Sequence, residues 1–436
     1  MPKISLFTMF AACLPLLTTL HAADWTGFRG SDHDGVISEE KVPTEWSETR
    51  NMKWTAKLPG PGTSSPIILG DRVYVTCYSG YGETRGGGGS VSDLKRHLVA
   101  VNRADGKIVW KSTVDAVLPE DEYQGFMAEH GYASQTPVTD GERIYCFFGK
   151  SGVHAFDLNG KELWKKSVGQ ESSSRRWGSG ASPILYGDLL IVNASDESQS
   201  IRAFNKVTGE EVWKAQAAGL ELTFNTPRIV KNVNGEDELV VAVPYEVWGL
   251  NPKTGKLNWY AECDLDGNVS PTIVEKDGIV YAVGGRNGGT VAVKTGGEGD
   301  VTKTHILWTS RETTYVPSPL LYEGKLYWVS DRGQAYCLDA KTGKTIYRER
   351  LASNESGGGG RRGGSRGFYA SVVLAGDYLY AVNRQGDTYV YKPGEEFKIV
   401  HVNSIDGDDG DFNASPAIAD GNIYLRSNQS LYCIGE

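Results

Sequence analysis

The sequence predicts an all-β protein, an eight-bladed β-propeller built from four-stranded antiparallel blades. Three observations lead to this prediction. The chain is rich in Gly (54), Tyr (22) and Trp (11), a balance that favours strands and tight turns over helices. A strand–turn–strand pattern recurs eight times, and a second hairpin usually follows it. Four-stranded units with a period of about 45–50 residues are typical of propeller blades, each of which buries its faces against its neighbours.

The first hairpin of each repeat has a Ser/Thr-Pro step, an apolar run, a Gly/Asp turn and a Tyr-rich strand. Alternation of apolar and polar residues fits strands with a buried face, and proline is tolerated at the start of a strand. The clear copies are "SSPIILGDRVYV", "QTPVTDGERIYCF", "ASPILYGDLLIV", "VSPTIVEKDGIVYAV", "PSPLLYEGKLYWV" and "ASPAIADGNIYLR". Two weaker copies are "NTPRIVKNVNGEDELVVAV" and "YASVVLAGDYLYAV".

The second hairpin turns at an Asp or Asn followed by Gly. The Asp or Asn side chain caps the turn, and Gly takes the positive φ that a bulged hairpin loop needs. The copies are "LVAVNRADGKIVW", "VHAFDLNGKELW", "IRAFNKVTGEEVW", "VWGLNPKTGKLNW" and "AYCLDAKTGKTIY". Each repeat is therefore expected to supply four strands.

The eighth repeat ends at "SLYCIGE" and supplies only three strands. The stretch "NMKWTAKL" (51–58) has the character of the missing fourth strand, with Trp54 in the position that a Trp takes in other repeats. Those other residues are Trp110, Trp164, Trp213 and Trp259. We expect this strand to complete the last blade and close the ring, so that no open edge remains between the first and last blades.

The N-terminal region before the repeats divides into two parts. Residues 1–23 have the layout of a cleaved secretory signal, so we expect a secreted or periplasmic protein. Lipid anchoring at Cys13 is the less favoured alternative, because the apolar run continues past it. Residues 24–50 form a flanking segment, followed by the propeller at 51–436. No later stretch reaches about 18 consecutive apolar residues, so we expect no transmembrane span.

Composition restricts the class of site. The formal charge of −9 and the lack of a long Lys/Arg run argue against nucleic-acid binding. Five cysteines remain after the signal, with no C-x-x-C and no adjacent pair, which argues against a disulfide scaffold, a haem site or a zinc site. Cys146, Cys337 and Cys433 lie in apolar strand runs and are expected to act as small buried hydrophobic residues.

The repeated "D-x-x-T-G-x-x-x-W" and "S-P-x-x-x-x-G-x-x-Y" patterns resemble the repeats of the PQQ-like (pyrroloquinoline-quinone-like) propeller family. That family includes quinoprotein dehydrogenases and the lipoprotein of the outer-membrane β-barrel assembly machine. The resemblance covers the chain from about Asn51 onward and implies the fold. The segment "DWTGFRGSDHDGV" (24–36) also resembles the flank of secreted propellers of this family, and Trp25, Phe28 and Arg29 are expected to pack against the ring.

The resemblance also implies what a quinone site would need. The dehydrogenases hold their quinone between a Trp and a ring formed by two adjacent bonded cysteines, beside a calcium ion with carboxylate and amide ligands and a catalytic Asp. This chain has no adjacent cysteines and is shorter than those enzymes. We therefore expect no cofactor, and PQQ with calcium belongs only to an alternative hypothesis.

The predicted strand directions place long segments on one face. Blade links and second-to-third loops open on that face, while short turns open on the other, and binding surfaces usually lie on long loops. The candidate binding residues in these segments are Glu129, His130, Tyr132, Arg176, Trp177, Arg286, Asn287, Asp331, Arg332 and Arg384. Arg and Asn side chains in this position would bind an anionic ligand or an acidic strand of a partner.

Plainer interpretations stand beside each of these candidates. The arginines could pair with neighbouring acids, and His130 could be a hydrogen-bonded loop residue, since no paired nucleophile is identifiable. An acidic loop is a weak calcium candidate that we instead expect to be a solvated turn. Its residues are Asp406, Asp408, Asp409 and Asp411.

Two functional hypotheses follow. The favoured one is a monomeric, non-catalytic scaffold that presents its long-loop face to an envelope or extracellular protein, with a polysaccharide as the other ligand considered. The alternative is a quinone-dependent alcohol or sugar dehydrogenase that uses the central channel.

Overall fold

A computed structural model describes residues 24–38, 41–83, 88–123, 130–351 and 367–436. The strands are short because each apolar run is interrupted by a turn signal within a few residues. In chain order the first eighteen are β1 (Val36–Ile37), β2 (Met52–Lys57), β3 (Ile67–Leu69), β4 (Arg72–Ser79), β5 (Lys95–Asn102), β6 (Ile108–Asp115), β7 (Val138–Thr139), β8 (Arg143–Phe147), β9 (Val153–Asp157), β10 (Glu162–Lys166), β11 (Ile184–Tyr186), β12 (Leu189–Ala194), β13 (Ser200–Asn205), β14 (Glu211–Gln216), β15 (Arg228–Lys231), β16 (Asp237–Val243), β17 (Glu246–Leu250) and β18 (Leu257–Glu262).

The second half of the described chain continues the same pattern. Its strands are β19 (Val274–Lys276), β20 (Ile279–Gly284), β21 (Gly289–Lys294), β22 (Gly299–Asp300), β23 (Ile306–Ser310), β24 (Leu320–Tyr322), β25 (Lys325–Val329), β26 (Gln334–Asp339), β27 (Thr345–Arg350), β28 (Val373–Ala375), β29 (Tyr378–Val382), β30 (Thr388–Tyr391), β31 (Ile399–Asn403), β32 (Ala417–Ala419), β33 (Asn422–Arg426) and β34 (Ser430–Ile434). Two short helices are α1 (Ser195–Ser198) and α2 (Thr302–His305). Among the described residues, no helix is long and apolar enough to cross a membrane.

These strands form eight antiparallel four-stranded blades, which confirms the predicted eight-bladed propeller. Blades 1 to 4 are β3–β6, β7–β10, β11–β14 and β15–β18. Blade 5 is β19, β20, β21 and β23, and blades 6 and 7 are β24–β27 and β28–β31. Blade 8 combines β32–β34 with β2. Two blades gain a parallel fifth strand, because β1 pairs with β28 and β22 pairs with β18.

The N-terminal strand closes the ring as the sequence predicts. Strand β2 pairs antiparallel with β34, and Trp54 lies opposite Cys433. The Trp54 side chain then reaches into blade 1, where its Nε1 donates to the Arg103 carbonyl at 2.8 Å. Its ring lies so close to Gly106, in a turn with φ of +72°, that a Cβ there would meet the indole. Trp54 therefore fastens the last blade to the first.

The same indole contact recurs between other neighbouring blades. Four further tryptophans on fourth strands each donate their Nε1 to a carbonyl in the third-to-fourth turn of the next blade. The pairs are Trp110 with Leu158, Trp164 with Lys206, Trp213 with Pro252 and Trp308 with Ala340, at 3.0–3.2 Å. Trp259 departs from the pattern and donates to the Glu238 carboxylate at 2.9 Å. In the four regular pairs the indole also lies against the Gly of that turn, where a Cβ would collide with it, so Trp and the turn Gly recur together in the repeat.

Residues 24–37 cross the short-turn face of the ring. Trp25 is 1% exposed and bridges to Ile68 of blade 1, while Arg29 donates to the Pro319 carbonyl of blade 6 at 2.6 Å. Strand β1 then joins blade 7. Because these anchors lie on widely separated blades, the segment spans this end of the central channel. Phe28 lines the channel at this point.

Candidate functional site

The central channel forms a cup of about 210 Å³ that opens toward the long-loop face. Its wall consists almost entirely of blade links, the segments that lead into the first strand of each blade. Most of the extra length on this face also lies in the links, for example 116–137, since most second-to-third loops have five residues or fewer. The links are therefore the main elements that shape the site.

Eight hydroxyl side chains, one from each blade, form a closed hydrogen-bonded circle in the wall of the cup. We call them the hydroxyl ring: Ser65, Thr136, Ser182, Thr226, Thr272, Ser318, Ser371 and Ser415. Each residue donates its backbone N–H to the side-chain oxygen in the next blade at 2.9–3.2 Å. Ser415 of blade 8 closes the circle on Ser65 of blade 1 at 3.1 Å.

The hydroxyl ring gives the Ser/Thr-Pro steps a second role besides opening the first strand. In seven blades the ring residue is the Ser or Thr of the repeat pattern. In blade 5 it is Thr272, which lies two residues after the Ser270 of the Ser-Pro step. The sequence pattern thus located the inner strands but not the hydrogen bonds that join the blades at the axis.

A second circle lies two residues before the hydroxyl ring in every blade, and all eight of its members line the cup. We call it the variable circle: Thr63, Ser134, Gly180, Phe224, Ser270, Val316, Tyr369 and Asn413. The two circles come from the same links, yet only the hydroxyl ring keeps one kind of side chain. The variable circle ranges from glycine to tyrosine.

Aromatic side chains line two opposite parts of the cup. One arc combines His130, Trp177 and Phe224 from the links of blades 2 to 4, and Trp177 stacks on Phe224 with ring centroids 5.7 Å apart. The other arc combines Tyr315 and Tyr369 from the links of blades 6 and 7. In a ring of eight, blades 2 and 3 face blades 6 and 7, so the cup is a slot between two aromatic walls.

Arginine side chains stack on these aromatic rings at the rim. The guanidinium carbon of Arg286 lies 4.1 Å from the ring centre of Tyr315, and that of Arg175 lies 5.8 Å from Trp177. Arg384 lies 4.7 Å from the ring centre of Tyr369, and it also pairs with Asp411 at 3.4 Å. The plainer interpretation, in which an arginine pairs with a neighbouring acid, therefore holds for Arg384. Arg175 and Arg286 are exposed.

His130 is the one imidazole in the described wall of the cup. Burial lowers its pKa to about 4, because the imidazolium loses hydration when it is enclosed. Its backbone carbonyl accepts from Thr63 at 2.9 Å. His130 is therefore neutral near pH 7 and poorly suited to act as a base there.

A buried polar cluster supports the cup behind blades 1 to 3. Arg96 and Glu120 form an ion pair at 2.5 Å with both side chains almost fully buried. On α1, Glu197 is fully buried and accepts from the Ser179 hydroxyl at 2.6 Å. Burial, together with the nearby Asp196, raises the pKa of Glu197 to about 7. This cluster holds the link that carries Trp177.

The structure separates the predicted binding residues into groups. His130 and Trp177 line the cup, while Arg286 and Arg384 stack on two tyrosines that line it. Tyr132 is only 4% exposed and stacks on Tyr123, so its predicted place on the binding surface is wrong.

The remaining candidates lie beyond the wall of the cup. Arg176 and Arg332 are exposed, and the contact with Trp177 comes from Arg175 instead of Arg176. Asn287 donates to the Asp266 carboxylate at 3.1 Å. The Asp331 backbone carbonyl accepts from Phe368. Glu129 lies outside the described residues.

The acidic loop folds around hydrogen bonds within the protein. Asp408 is buried and accepts from the Ser427 and Tyr432 hydroxyls at 2.5 and 2.6 Å. Asp411 pairs with Arg384. Within the described ranges, no group of three His, Cys, Asp or Glu side chains is placed to hold a metal ion. The structure gives the calcium candidate, with Asp406 and Asp409, no support.

Several residues of the cup were missed by the sequence analysis. They are three aromatic residues that precede the first strand of their blade, where the sequence gives no reason to distinguish them from other loop aromatics: Phe224, Tyr315 and Tyr369. The signal that finds them is positional: each lies two or three residues before a hydroxyl-ring residue. That signal can be used only once the ring position in each repeat is known.

Comparisons with known proteins agree with this architecture. The outer membrane protein assembly factor BamB of Burkholderia pseudomallei is 24% identical over 401 residues, covering 81% of this chain and 92% of that protein. The crystal structure of BamB from Moraxella catarrhalis is similar with a TM-score of 0.60 and 13% identity, covering 88% of this chain and 96% of that one.

A quinohemoprotein alcohol dehydrogenase from Comamonas testosteroni has the same fold, with a TM-score of 0.63 and 11% identity over 95% of this chain and 81% of that one. The family model described as outer membrane protein assembly factor BamB matches residues 94–349, more than half of the chain. The chain therefore belongs to the BamB family of PQQ-like propellers.

Proposed function

We propose that this protein is a non-catalytic binding protein of the cell envelope, periplasmic or secreted, that presents its long-loop face to an outer-membrane assembly partner. Membership of the BamB family supports this proposal, since the matching relatives are named as outer membrane protein assembly factors. The signal-like segment 1–23 supports the location.

One observation carries the non-catalytic part of the proposal. Among the described residues that line the cup, none is Asp, Glu, Lys or Cys. General acid–base and nucleophilic catalysis need a titratable group near its working pKa beside a substrate. The wall offers hydroxyls, aromatic rings and a neutral His130, which are groups suited to binding.

A crosslinking experiment tests which face binds the partner. A photo-reactive amino acid is placed at Arg332 on the long-loop face or at Lys341 on the short-turn face of the same blade, where both residues are exposed. We expect the Arg332 position to crosslink to outer-membrane assembly proteins, identified by mass spectrometry. Crosslinks at Lys341 alone, or at both positions equally, would contradict the proposal.

The rival function is a quinone-dependent dehydrogenase that uses the central channel. The residues do not fit a quinone held with calcium, because the described wall lacks a carboxylate ligand. All five described cysteines are unpaired and come from different blades or links.

A direct assay decides between the two functions. Quinone and calcium are added to the purified protein, and a bound chromophore and dye-linked oxidation of alcohols or sugars are measured. We expect neither, and a bound chromophore with turnover would establish the rival function.

A further inference from the structure

We propose that the cup binds the terminal uronic acid of an acidic oligosaccharide, that is, a sugar ring that carries a carboxylate. This site is the interior of the cup together with the arginines at its rim, and the inference goes beyond the function proposed above. Hydrogen-bond donors, aromatic walls, size and charge each contribute to the inference.

The hydroxyl ring supplies the hydrogen-bond donors. Every ring oxygen already accepts a backbone N–H from the preceding blade, which leaves its O–H able to donate and one lone pair able to accept. Within the part of the chain that the structure describes, none of these hydroxyls donates to another protein group. A circle of donors around one axis favours a ligand rich in acceptors, such as a carboxylate.

The aromatic arcs suit a flat ring between them. Trp177 and Phe224 form one wall, and Tyr315 and Tyr369 form the opposite wall. Aromatic faces bind apolar, slightly positive C–H groups, which a pyranose ring presents between its hydroxyls. The polar side chains of Ser270 and Asn413 line the cup between the two walls, at the edge of a ring held there.

The size of the cup limits what enters. Its volume of about 210 Å³ is smaller than the roughly 300–1,000 Å³ of pockets for drug-sized ligands. The cup therefore admits one sugar ring, and the rest of an oligosaccharide must lie across the rim.

Charge at the rim favours an anion over a neutral sugar. Exposed Arg175 and Arg286 stand over Trp177 and Tyr315, and no acidic side chain lines the described wall. A carboxylate that approaches the cup gains charge-assisted interactions with these arginines.

An extended peptide is a less suitable occupant. An extended peptide adds to an exposed sheet edge through backbone hydrogen bonds. Here the backbone N–H at each hydroxyl-ring position is already used in the circle. At the hydroxyl-ring positions the cup offers side-chain hydroxyls and no free backbone N–H, which favours a sugar.

Calorimetry with the full-length mature protein tests this inference, with trigalacturonate and its methyl ester as the two probes. We expect one trigalacturonate per chain, and binding of the uncharged ester at least about tenfold weaker. Trp177→Ala should weaken trigalacturonate binding about tenfold by removing one wall.

Two further variants separate binding from folding. Ser270→Ala removes a hydroxyl of the variable circle without touching the hydroxyl ring, so it should weaken binding and leave the melting temperature unchanged. Tyr245→Ala removes a 54% exposed aromatic residue from a second-to-third loop outside the cup and should bind normally.

The inference is overturned if the ester binds as well as the acid, if neither binds, if Trp177→Ala binds normally, or if a peptide carboxylate binds more tightly than the sugar. Crosslinking at Arg332 reports on the protein partner independently. Either proposal can therefore fail without the other.

Discussion

The hydroxyl ring and the variable circle lie two residues apart in the same eight links, yet they differ in composition. The hydroxyl ring contains only Ser and Thr, and each of its side chains accepts a hydrogen bond from the preceding blade. The variable circle contains seven different residue types and carries two of the aromatic side chains of the cup. Each hydroxyl-ring residue is bonded in the same way to both neighbouring blades, whereas the contacts of the variable circle differ from member to member: Thr63 donates to the His130 carbonyl and Phe224 stacks on Trp177. We infer that stability depends on one circle and ligand recognition on the other.

The largest expected effect belongs to the constrained scaffold. Trp54→Ala should lower the free energy of unfolding by about 3–5 kcal/mol, because it removes a buried indole that joins the last blade to the first. Urea denaturation measures this loss. Leu307→Ala, which truncates a 50% exposed side chain on an outer strand, is the control and should cost far less. A small effect for Trp54→Ala would show that the ring closes by other contacts.

The hydroxyl ring itself should respond next most strongly. Thr226→Val keeps the shape of the side chain but leaves the Ser182 N–H without its acceptor, which should cost about 1–3 kcal/mol. Thr226→Ser retains the hydroxyl and should remain near wild-type stability. Equal unfolding free energies for the two variants would show that the hydroxyl ring does not contribute to stability through its hydrogen bonds.

A pH-dependent effect is expected beside the cup at Glu197. Its folded pKa of about 7 lies above its usual value of 4.5, so its contribution to stability is full below pH 4.5 and is lost as the pH rises through 7. Glu197→Gln should therefore gain roughly 2–3 kcal/mol relative to wild type between pH 5 and pH 8. Denaturation of both proteins at both pH values measures the difference. Unfolding free energies that vary with pH in the same way in wild type and variant would contradict a raised pKa at Glu197.

The smallest effect on stability is expected at the rim. Arg286 is exposed, so Arg286→Gln should change the unfolding free energy by less than about 0.5 kcal/mol. It should still weaken trigalacturonate binding at low salt, with the difference shrinking at high salt as charges are screened. A large change in the unfolding free energy would show that Arg286 stabilises the fold, contrary to its proposed role in ligand binding.

The sequence predicted the parts of the molecule that repeat. Eight blades, the completing strand around Trp54 and the direction of the long segments all follow from turn chemistry and strand periodicity that recur in each copy. The residues of the cup do not recur, because Phe224, Tyr315 and Tyr369 each occur once in their own link. Tyr132 was misplaced for the same reason, since burial beneath a loop leaves no periodic signal.

One measurement tests the separation of the two circles most directly. The double variant Phe224→Ser/Tyr369→Ser places at two positions the residue that Ser134 and Ser270 already supply in other blades. Melting and trigalacturonate binding are then measured on the same sample. We predict a melting temperature within a few degrees of wild type together with a loss of binding. Unfolding as severe as that of Trp54→Ala, or binding that survives, would contradict the account.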